Sequence, residues 1–200
     1  QDVSPLQVKA LRVLFGHDAF TLVGDLCQGI YGDEGLRGWN DLSEGIFEQK
    51  PEVCRLSTSY RSTVEIMETA YRVLAKHPVP GEGAARAVER HGNEPVLISA
   101  KDEKGRLDAL AGLVEGWRKD GLASVALVTK TARGATALHK ALSPLLPGLR
   151  LTSQADEAFD GGVQIMDSSM VKGLEFDGVI IADADGITYP DEPFYAKLLY

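Results

Sequence analysis

The sequence has no apolar run long enough to cross a bilayer, which excludes a membrane-spanning helix and predicts no membrane partner. It has only two cysteines, Cys27 and Cys54, and each lies in a separate apolar segment, which indicates two buried, reduced thiols rather than a disulfide. The four histidines lack the spacing of metal ligands, so no metal site is predicted. These scarcities favour a cytoplasmic, globular protein.

The chain also has no excess of positive charge. It carries 21 basic and 29 acidic residues, a formal net charge of −8. Because phosphate contacts dominate affinity for nucleic acids, this balance argues against a simple DNA-binding module. It leaves room for a protein that holds one strand in a narrow groove, where a few cations and aromatic faces suffice.

A third absence concerns phosphate binding. No Gly-x-x-x-x-Gly-Lys-Ser/Thr pattern occurs in the sequence. The loop that cradles the β- and γ-phosphates of a nucleotide, and the lysine that reaches them, are therefore missing. The chain by itself is expected to bind nucleotide weakly at most and to hold no tightly bound cofactor.

What the chain does contain is a repeated pattern of a short apolar run followed by an amphipathic stretch. The predicted strands are residues 20–24, 53–56, 96–98, 125–128, 149–152, 163–166 and 179–182. The predicted helices are residues 4–15, 63–75, 106–119 and 133–145, with Ser4 as the first N-cap and Pro5 in the first turn. Residues 77–92, rich in Pro, Gly, Arg and Glu, are predicted to be a loop. The alternation predicts an α/β fold with a parallel sheet covered by helices on both faces.

Four segments carry a recognisable chemistry, and three of them follow predicted strands. They are QDVSPLQ (1–7), LVGDLCQGIY (22–31), LSTSYRST (56–63) and MVKGLEFD (170–177). In this order and spacing they resemble the end of motif II and then motifs III, IV and V of the UvrD/Rep-type superfamily I helicases. The resemblance covers the whole chain and is least specific between residues 64 and 162.

The resemblance implies a RecA-like fold, that of the second motor domain of a P-loop NTPase. It implies that residues 1–50 are the end of the first RecA-like domain and that residues 51–200 are the second, cut before motif VI. The parent protein would be an ATP-dependent DNA helicase or translocase, with a role such as DNA repair. It would use ATP and Mg²⁺ and act on single-stranded DNA or a DNA duplex. The chain alone is expected to be inactive.

The same resemblance implies four residues at the nucleotide. Gln28 would sense the γ-phosphate, and Tyr60 would stack on adenine. Arg61 would act as an arginine finger, a role that can contribute roughly three to five orders of magnitude in rate. Glu175 would approach the nucleotide sugar. The alternatives are a polar cap at a strand end for Gln28, and a surface arginine beside a packed tyrosine for Arg61.

The implied nucleic-acid contacts lie in two regions. Lys172 would meet a backbone phosphate, with a solvated lysine at a helix start as the alternative, and Ser168 or Ser169 would donate to another phosphate. Tyr31 and Trp39 would stack on unpaired bases, with packing between motor domains as the alternative.

The fourth segment departs from the family pattern just before Lys172. Asp167-Ser168-Ser169 stands where Thr-x-His is usual, and the acidic Asp167 would repel phosphate. Asp2 matches the last acid of motif II.

Two features favour the helicase IV and HelD branch of this family. No large insertion separates the third and fourth segments, and the Gly38-Trp39 pair follows the second one. An alternative function is therefore an ATPase factor that binds and recycles RNA polymerase with little unwinding. A degenerate, non-catalytic interaction domain and an unrelated α/β fold with chance matches are further alternatives. Residues 1–50 are expected either to dock on the second domain or to drive self-association.

Overall fold

The computed structural model describes residues 3–29, 38–43, 46–49, 51–79, 82–83, 85–152 and 161–200. The chain forms two compact units: Gln1–Val96 together with Tyr189–Tyr200, and Leu97–Thr188. The domain boundary expected at residue 50 concerns the motor domains of a longer protein and stays a prediction. None of the helices in these ranges is long and apolar enough to span a bilayer.

Helices and strands are interspersed along the chain. The helices are α1 (Pro5–Phe15), α2 (Asn40–Ser43), α3 (Val64–Leu74), α4 (Glu103–Lys119), α5 (Ala132–Leu142), α6 (Ser168–Val171) and α7 (Pro193–Leu199). The strands are β1 (Thr58–Ser59), β2 (Arg86–Ala87), β3 (Ser124–Thr129), β4 (Arg150–Leu151), β5 (Gly162–Asp167) and β6 (Gly178–Ile181).

The second unit is built on a four-stranded parallel sheet with the order β4-β5-β3-β6. Consecutive residues along β3 and β5 are buried. Because successive side chains of a strand point to opposite faces, both faces at the centre of the sheet are covered. Helices α4 and α5 pack on one face, where Leu127, Leu142 and Ile165 are completely buried. Each such side chain contributes roughly 1.5–3 kcal/mol of burial free energy. The predicted α/β fold with a parallel sheet is confirmed, and so are all four strands predicted between residues 125 and 182.

The first unit contains the two other long helices, and both were predicted. Ser4 caps α1: its hydroxyl accepts a hydrogen bond from the Gln7 amide at 3.2 Å, and Gln7 Oε1 accepts one from the Ser4 amide at 2.8 Å. Thr63 precedes α3 as its N-cap residue. A two-stranded parallel sheet, β1-β2, lies beside α3.

Three predicted strands are wrong. Residues 20–24, 53–56 and 96–98 are irregular, and Val23, Leu56 and Leu97 are 85%, 91% and 82% exposed. A strand is stable only where a neighbour satisfies its backbone groups and covers its apolar side chains. No strand in the described part of the chain pairs with these three runs. Their apolar composition therefore did not suffice to form a strand.

Residues of the first fifty pack against later parts of the same unit. Leu26 and Cys27 form a buried cluster with Leu74 and Val79, and Tyr200 packs against it. Within the first unit, these contacts agree with the expectation that residues 1–50 dock on the rest of the chain, and self-association stays a prediction.

Candidate nucleotide and nucleic-acid sites

Gln28 lies at the end of a short 3-10 helix, Leu26–Gln28, and not at the end of a strand. Asp25 organises this turn. One of its carboxylate oxygens accepts from the Cys27 amide at 2.9 Å, and the other accepts from the side-chain nitrogen of Gln28 at 2.8 Å. Asp25 therefore orients an exposed amide group at the surface of the first unit.

Tyr60 and Arg61 directly follow β1, at its carboxyl end, between that strand and the start of α3. The side chains that bind ligands in parallel α/β sheets usually come from such positions. Tyr60 is 75% exposed, so its ring is available for stacking. The sequence predicted this location correctly, although the strand before it begins two residues beyond the predicted range of 53–56.

Trp39 packs beneath the surface of the first unit rather than projecting from it. It is partly buried against the cluster of Leu26 and Cys27 and against a second cluster that contains Val8. Its indole N–H donates to Glu82 Oε1 at 2.9 Å. This geometry favours the packing interpretation, and base stacking by Trp39 stays a prediction.

The first unit also has an open cavity of about 1480 Å³. It is lined by the two irregular apolar runs, including Leu22, Val23 and Leu56, and by Trp39. Gln28, Tyr60 and Arg61 are not among the described residues that line it. The cavity thus marks the place where the two runs lack neighbours, and it is separate from the residues expected at the nucleotide.

In the second unit, the predicted serines lie at the carboxyl edge of the sheet, just after β5. Ser168 Oγ donates to the Lys130 carbonyl oxygen at 3.0 Å, which joins the end of β5 to the end of β3. Both the amide and the hydroxyl of Ser169 donate to Asp167 Oδ1. In this arrangement both hydroxyl hydrogens are engaged within the protein, so donation to a phosphate would require each hydroxyl to turn.

Two charged residues at the same edge were missed by the sequence analysis. The Lys130 amide donates to Asp183 Oδ2 at 3.0 Å, and the Lys130 ammonium donates to the Thr188 carbonyl oxygen at 2.6 Å. Lys130 directly follows β3, and Asp183 follows the buried Ala182 just after β6. This position after a strand is the signal that could have identified both residues. They add one cation and one anion to this edge of the sheet, where Ser168 contacts the main chain of Lys130.

Lys172 and Glu175 lie in the turn between α6 and β6, and Glu175 is exposed. Gly173 lies between them with a φ of 86°, and the Leu174 amide donates to the Val171 carbonyl oxygen at 2.9 Å. Further along, Asp177 Oδ2 accepts from the Ser124 amide and hydroxyl, which ties the starts of β6 and β3 together and lowers the pKa of Asp177.

The remaining expectations concern residues outside this description or in separate units. Tyr31 and Asp2 lie outside the described residues. Gln28, Tyr60 and Arg61 belong to the first unit and Glu175 to the second. Their convergence on one nucleotide stays a prediction. Among the described residues, no group of three His, Cys, Asp or Glu side chains could hold a metal ion.

The two thiols differ in environment. Cys27 is buried, and this burial, aided by Asp25 and Glu82, raises its pKa to about 11. Cys54 is exposed, so the expectation that both thiols are buried is wrong for Cys54. The physical reason is that the apolar run around Cys54 forms no strand and has no neighbour to cover it.

Comparison with known proteins gives helicases of the UvrD/Rep type. DNA helicase II of Haemophilus influenzae is 29% identical over 123 residues, which is 60% of this chain and 17% of that protein. The ATP-dependent DNA helicases Rep of Salmonella typhimurium and Escherichia coli are each 29% identical over 113 residues, 56% of this chain. The chain thus spans 17% of the length of the curated relatives it matches. No protein-family model matches it.

A solved structure is similar in fold. The C-terminal domain of a possible DNA helicase from Lactobacillus plantarum superposes with a TM-score of 0.55 at 24% identity, covering 70% of this chain and 80% of that one. The predicted resemblance to UvrD/Rep-type helicases is therefore confirmed through its sequence relatives. None of these findings supports the HelD branch or an RNA polymerase partner.

Proposed function

We propose that this chain is the second RecA-like domain, with the end of the first, of an ATP-dependent DNA helicase or translocase of the UvrD/Rep type. The observation that carries the proposal is the position of Tyr60 and Arg61. They follow a parallel strand in a chain whose relatives are DNA helicase II and Rep. The parent protein would be cytoplasmic and would use ATP and Mg²⁺.

In this proposal the exposed residues of the first unit meet the nucleotide. Tyr60 offers an open aromatic face for adenine, and the Gln28 amide, oriented by Asp25, reports on the γ-phosphate. Arg61 forks onto the γ-phosphate and stabilises the charge that develops during its transfer. Glu175 binds the sugar. The Mg²⁺ ligands and the phosphate-binding lysine come from other parts of the parent, so the 200-residue chain hydrolyses no ATP.

DNA is the proposed partner, held at the carboxyl edge of the larger sheet. Lys172 meets a strand phosphate, and Ser168 and Ser169 assist by turning their hydroxyls away from Lys130 and Asp167. Tyr31 is the proposed stacking residue, whereas Trp39 serves packing within the first unit, where its indole N–H donates to Glu82. The nearby carboxylate of Asp167 and the net charge of −8 predict weak, salt-sensitive binding of DNA by the chain alone.

The test is ATP turnover of the full-length protein that carries this chain. Arg61→Ala is expected to lower kcat by roughly three orders of magnitude while leaving the fold intact. Arg72→Ala is the matched control, because Arg72 is an exposed arginine of α3 that pairs with Glu68 one turn earlier in the same helix. Turnover of Arg61→Ala at the wild-type rate would refute the finger assignment.

A further inference from the structure

A second segment of the first unit runs alongside the candidate nucleotide residues. β2 is parallel to β1, the strand that ends immediately before Tyr60. The Val88 amide donates to the Ser59 carbonyl oxygen at 2.9 Å, so the pairing reaches the last residue of β1. Past the strands, the Val64 amide, the first of α3, donates to the Arg90 carbonyl oxygen at 3.0 Å. The turn that holds Arg61 is therefore fixed at both ends by the same segment.

Glu65 anchors this segment to the first turn of α3. Its Oε1 lies 2.7 Å from His91 Nδ1, and its Oε2 accepts from the Gly92 amide at 3.0 Å. The hydrogen bond from His91, followed by those from its own amide and from Gly92, lowers the pKa of Glu65 to about 2. Glu65 is thus ionised at neutral pH, and the helix N-terminus favours a negative charge at this position.

The fit between the segment and the turn is close. A Cβ added at Gly92 would lie 2.8 Å from Thr63 Cγ2, closer than carbon atoms approach without displacement. The Arg90 guanidinium also reaches the Arg61 carbonyl oxygen, at 3.5 Å. Arg90 therefore contacts the backbone on both sides of the turn, at Arg61 and Val64, while His91 and Gly92 lie against the side chains of Glu65 and Thr63.

We propose that residues 90–92 form a clasp on the Arg61 turn, and that Glu65 and His91 are positioning residues for the Arg61 finger. The proposal rests on the function proposed above. Its physical basis is that the backbone of Arg61 lies in a short turn between β1 on one side and α3 on the other. The clasp joins that backbone to a further segment. Small misplacements of a catalytic group can cost up to about 100-fold in rate.

The experiment uses two variants and two controls in the full-length protein. Glu65→Gln and His91→Ala are expected to lower kcat for ATP hydrolysis about tenfold and to leave KM for ATP within about twofold. Glu68→Gln is the matched control for Glu65, because Glu68 lies on the same helix and pairs with Arg72. His91→Gln retains a side-chain donor for Glu65 and is expected to recover most of the lost rate.

A structural readout separates the clasp from catalysis. In the 200-residue chain, Glu65→Gln should speed amide hydrogen exchange at Gly92 and Val64 several-fold, and Glu68→Gln should not. Exchange as slow in Glu65→Gln as in the wild type would overturn the clasp. Faster exchange combined with wild-type kcat, in a protein that Arg61→Ala inactivates, would overturn the positioning role. Turnover of Arg61→Ala at the wild-type rate would instead refute the proposed function and, with it, the positioning role of Glu65 and His91. Whether the clasp itself exists is decided by the amide hydrogen exchange alone.

Discussion

The indole N–H of Trp39 donates a hydrogen bond to Glu82 Oε1 at 2.9 Å, across 43 residues of sequence. The same ring packs against the buried Leu26 and Cys27. A ring held in this way is a structural component of the first unit, and moving it onto a base would break both the hydrogen bond and the packing. This relationship gives the first prediction.

Trp39→Phe should lower the free energy of unfolding by about 1 kcal/mol, because Glu82 loses its donor while most of the apolar contact remains. Urea denaturation measures this, and Glu82→Ala in a double-mutant cycle isolates the hydrogen bond. In the full-length protein, Trp39→Leu should leave affinity for single-stranded DNA within about twofold. A tenfold loss would restore Trp39 as a stacking residue, since a stacked base contributes roughly 1–3 kcal/mol.

The two cysteines should react with thiol reagents at very different rates. Cys54 is exposed and should be modified first, whereas Cys27 is buried and its raised pKa keeps it protonated at neutral pH. Titration with a chromogenic disulfide should give one fast thiol per chain, which Cys54→Ser removes. A fast phase that survives in Cys54→Ser would show that Cys27 is accessible.

The stabilising effect of the His91–Glu65 pair should depend on pH in a defined direction. The hydrogen bond to Glu65, with Glu89 and Glu68 nearby, raises the pKa of His91 above its ordinary 6.5. The stabilisation from His91 is therefore complete below pH 6.5 and is lost as the pH rises through the raised pKa. The stabilisation from Glu65 is present above pH 4.5 and is lost as the pH falls through its folded pKa of about 2.

The measurement for this pair is the difference in Tm between the wild type and His91→Ala across pH. The difference should be largest between about pH 4.5 and 6.5 and should shrink toward pH 9. Wild-type stabilisation that grows as the pH rises from 6.5 to 9 would contradict the assignment, because it would require a depressed pKa for His91.

Gly178→Ala should destabilise the second unit. An added Cβ would lie 2.6 Å from Trp117 Cε3 and 3.0 Å from Leu122 Cδ2, so a partly buried ring packed against the core would have to move. Such overpacking costs about 1–3 kcal/mol. Gly112→Ala, in α4, is the control and should raise the stability instead. Nothing lies within 4 Å of its new Cβ, and alanine favours the helix by about 0.5–1 kcal/mol relative to glycine. Equal stabilities in thermal unfolding would contradict the packing described for β6.

The contrast between β3 and residues 20–24 explains which elements could be predicted from sequence. Both are short apolar runs, but β3 has β5 on one side and β6 on the other, while the earlier run has no neighbouring strand in the described part of the chain. Helices were easier to predict, because the Ser4–Gln7 capping box and the apolar spacing of α3 act within one segment. A strand depends on a partner that a local pattern does not identify.

The candidate site divides in the same way. Local sequence was enough to place Tyr60 and Arg61 just before a helix, because the start of α3 follows them directly, but it put the preceding strand at residues 53–56 instead of Thr58–Ser59. It did not identify His91, which meets Glu65 only because β2 runs parallel to β1. Nor did it identify Lys130, which meets Ser168 only because β3 and β5 are neighbours.

The sequence by itself determined the motif order, the helices with their caps, and the resemblance to UvrD/Rep-type helicases, since each depends on residues close together in the chain. Only the tertiary structure decided which apolar runs became strands, that Trp39 packs inward, and that residues 90–92 hold the Arg61 turn. The reason is physical: hydrogen bonds between strands and contacts between distant side chains depend on how the chain returns on itself, and no single segment encodes that path.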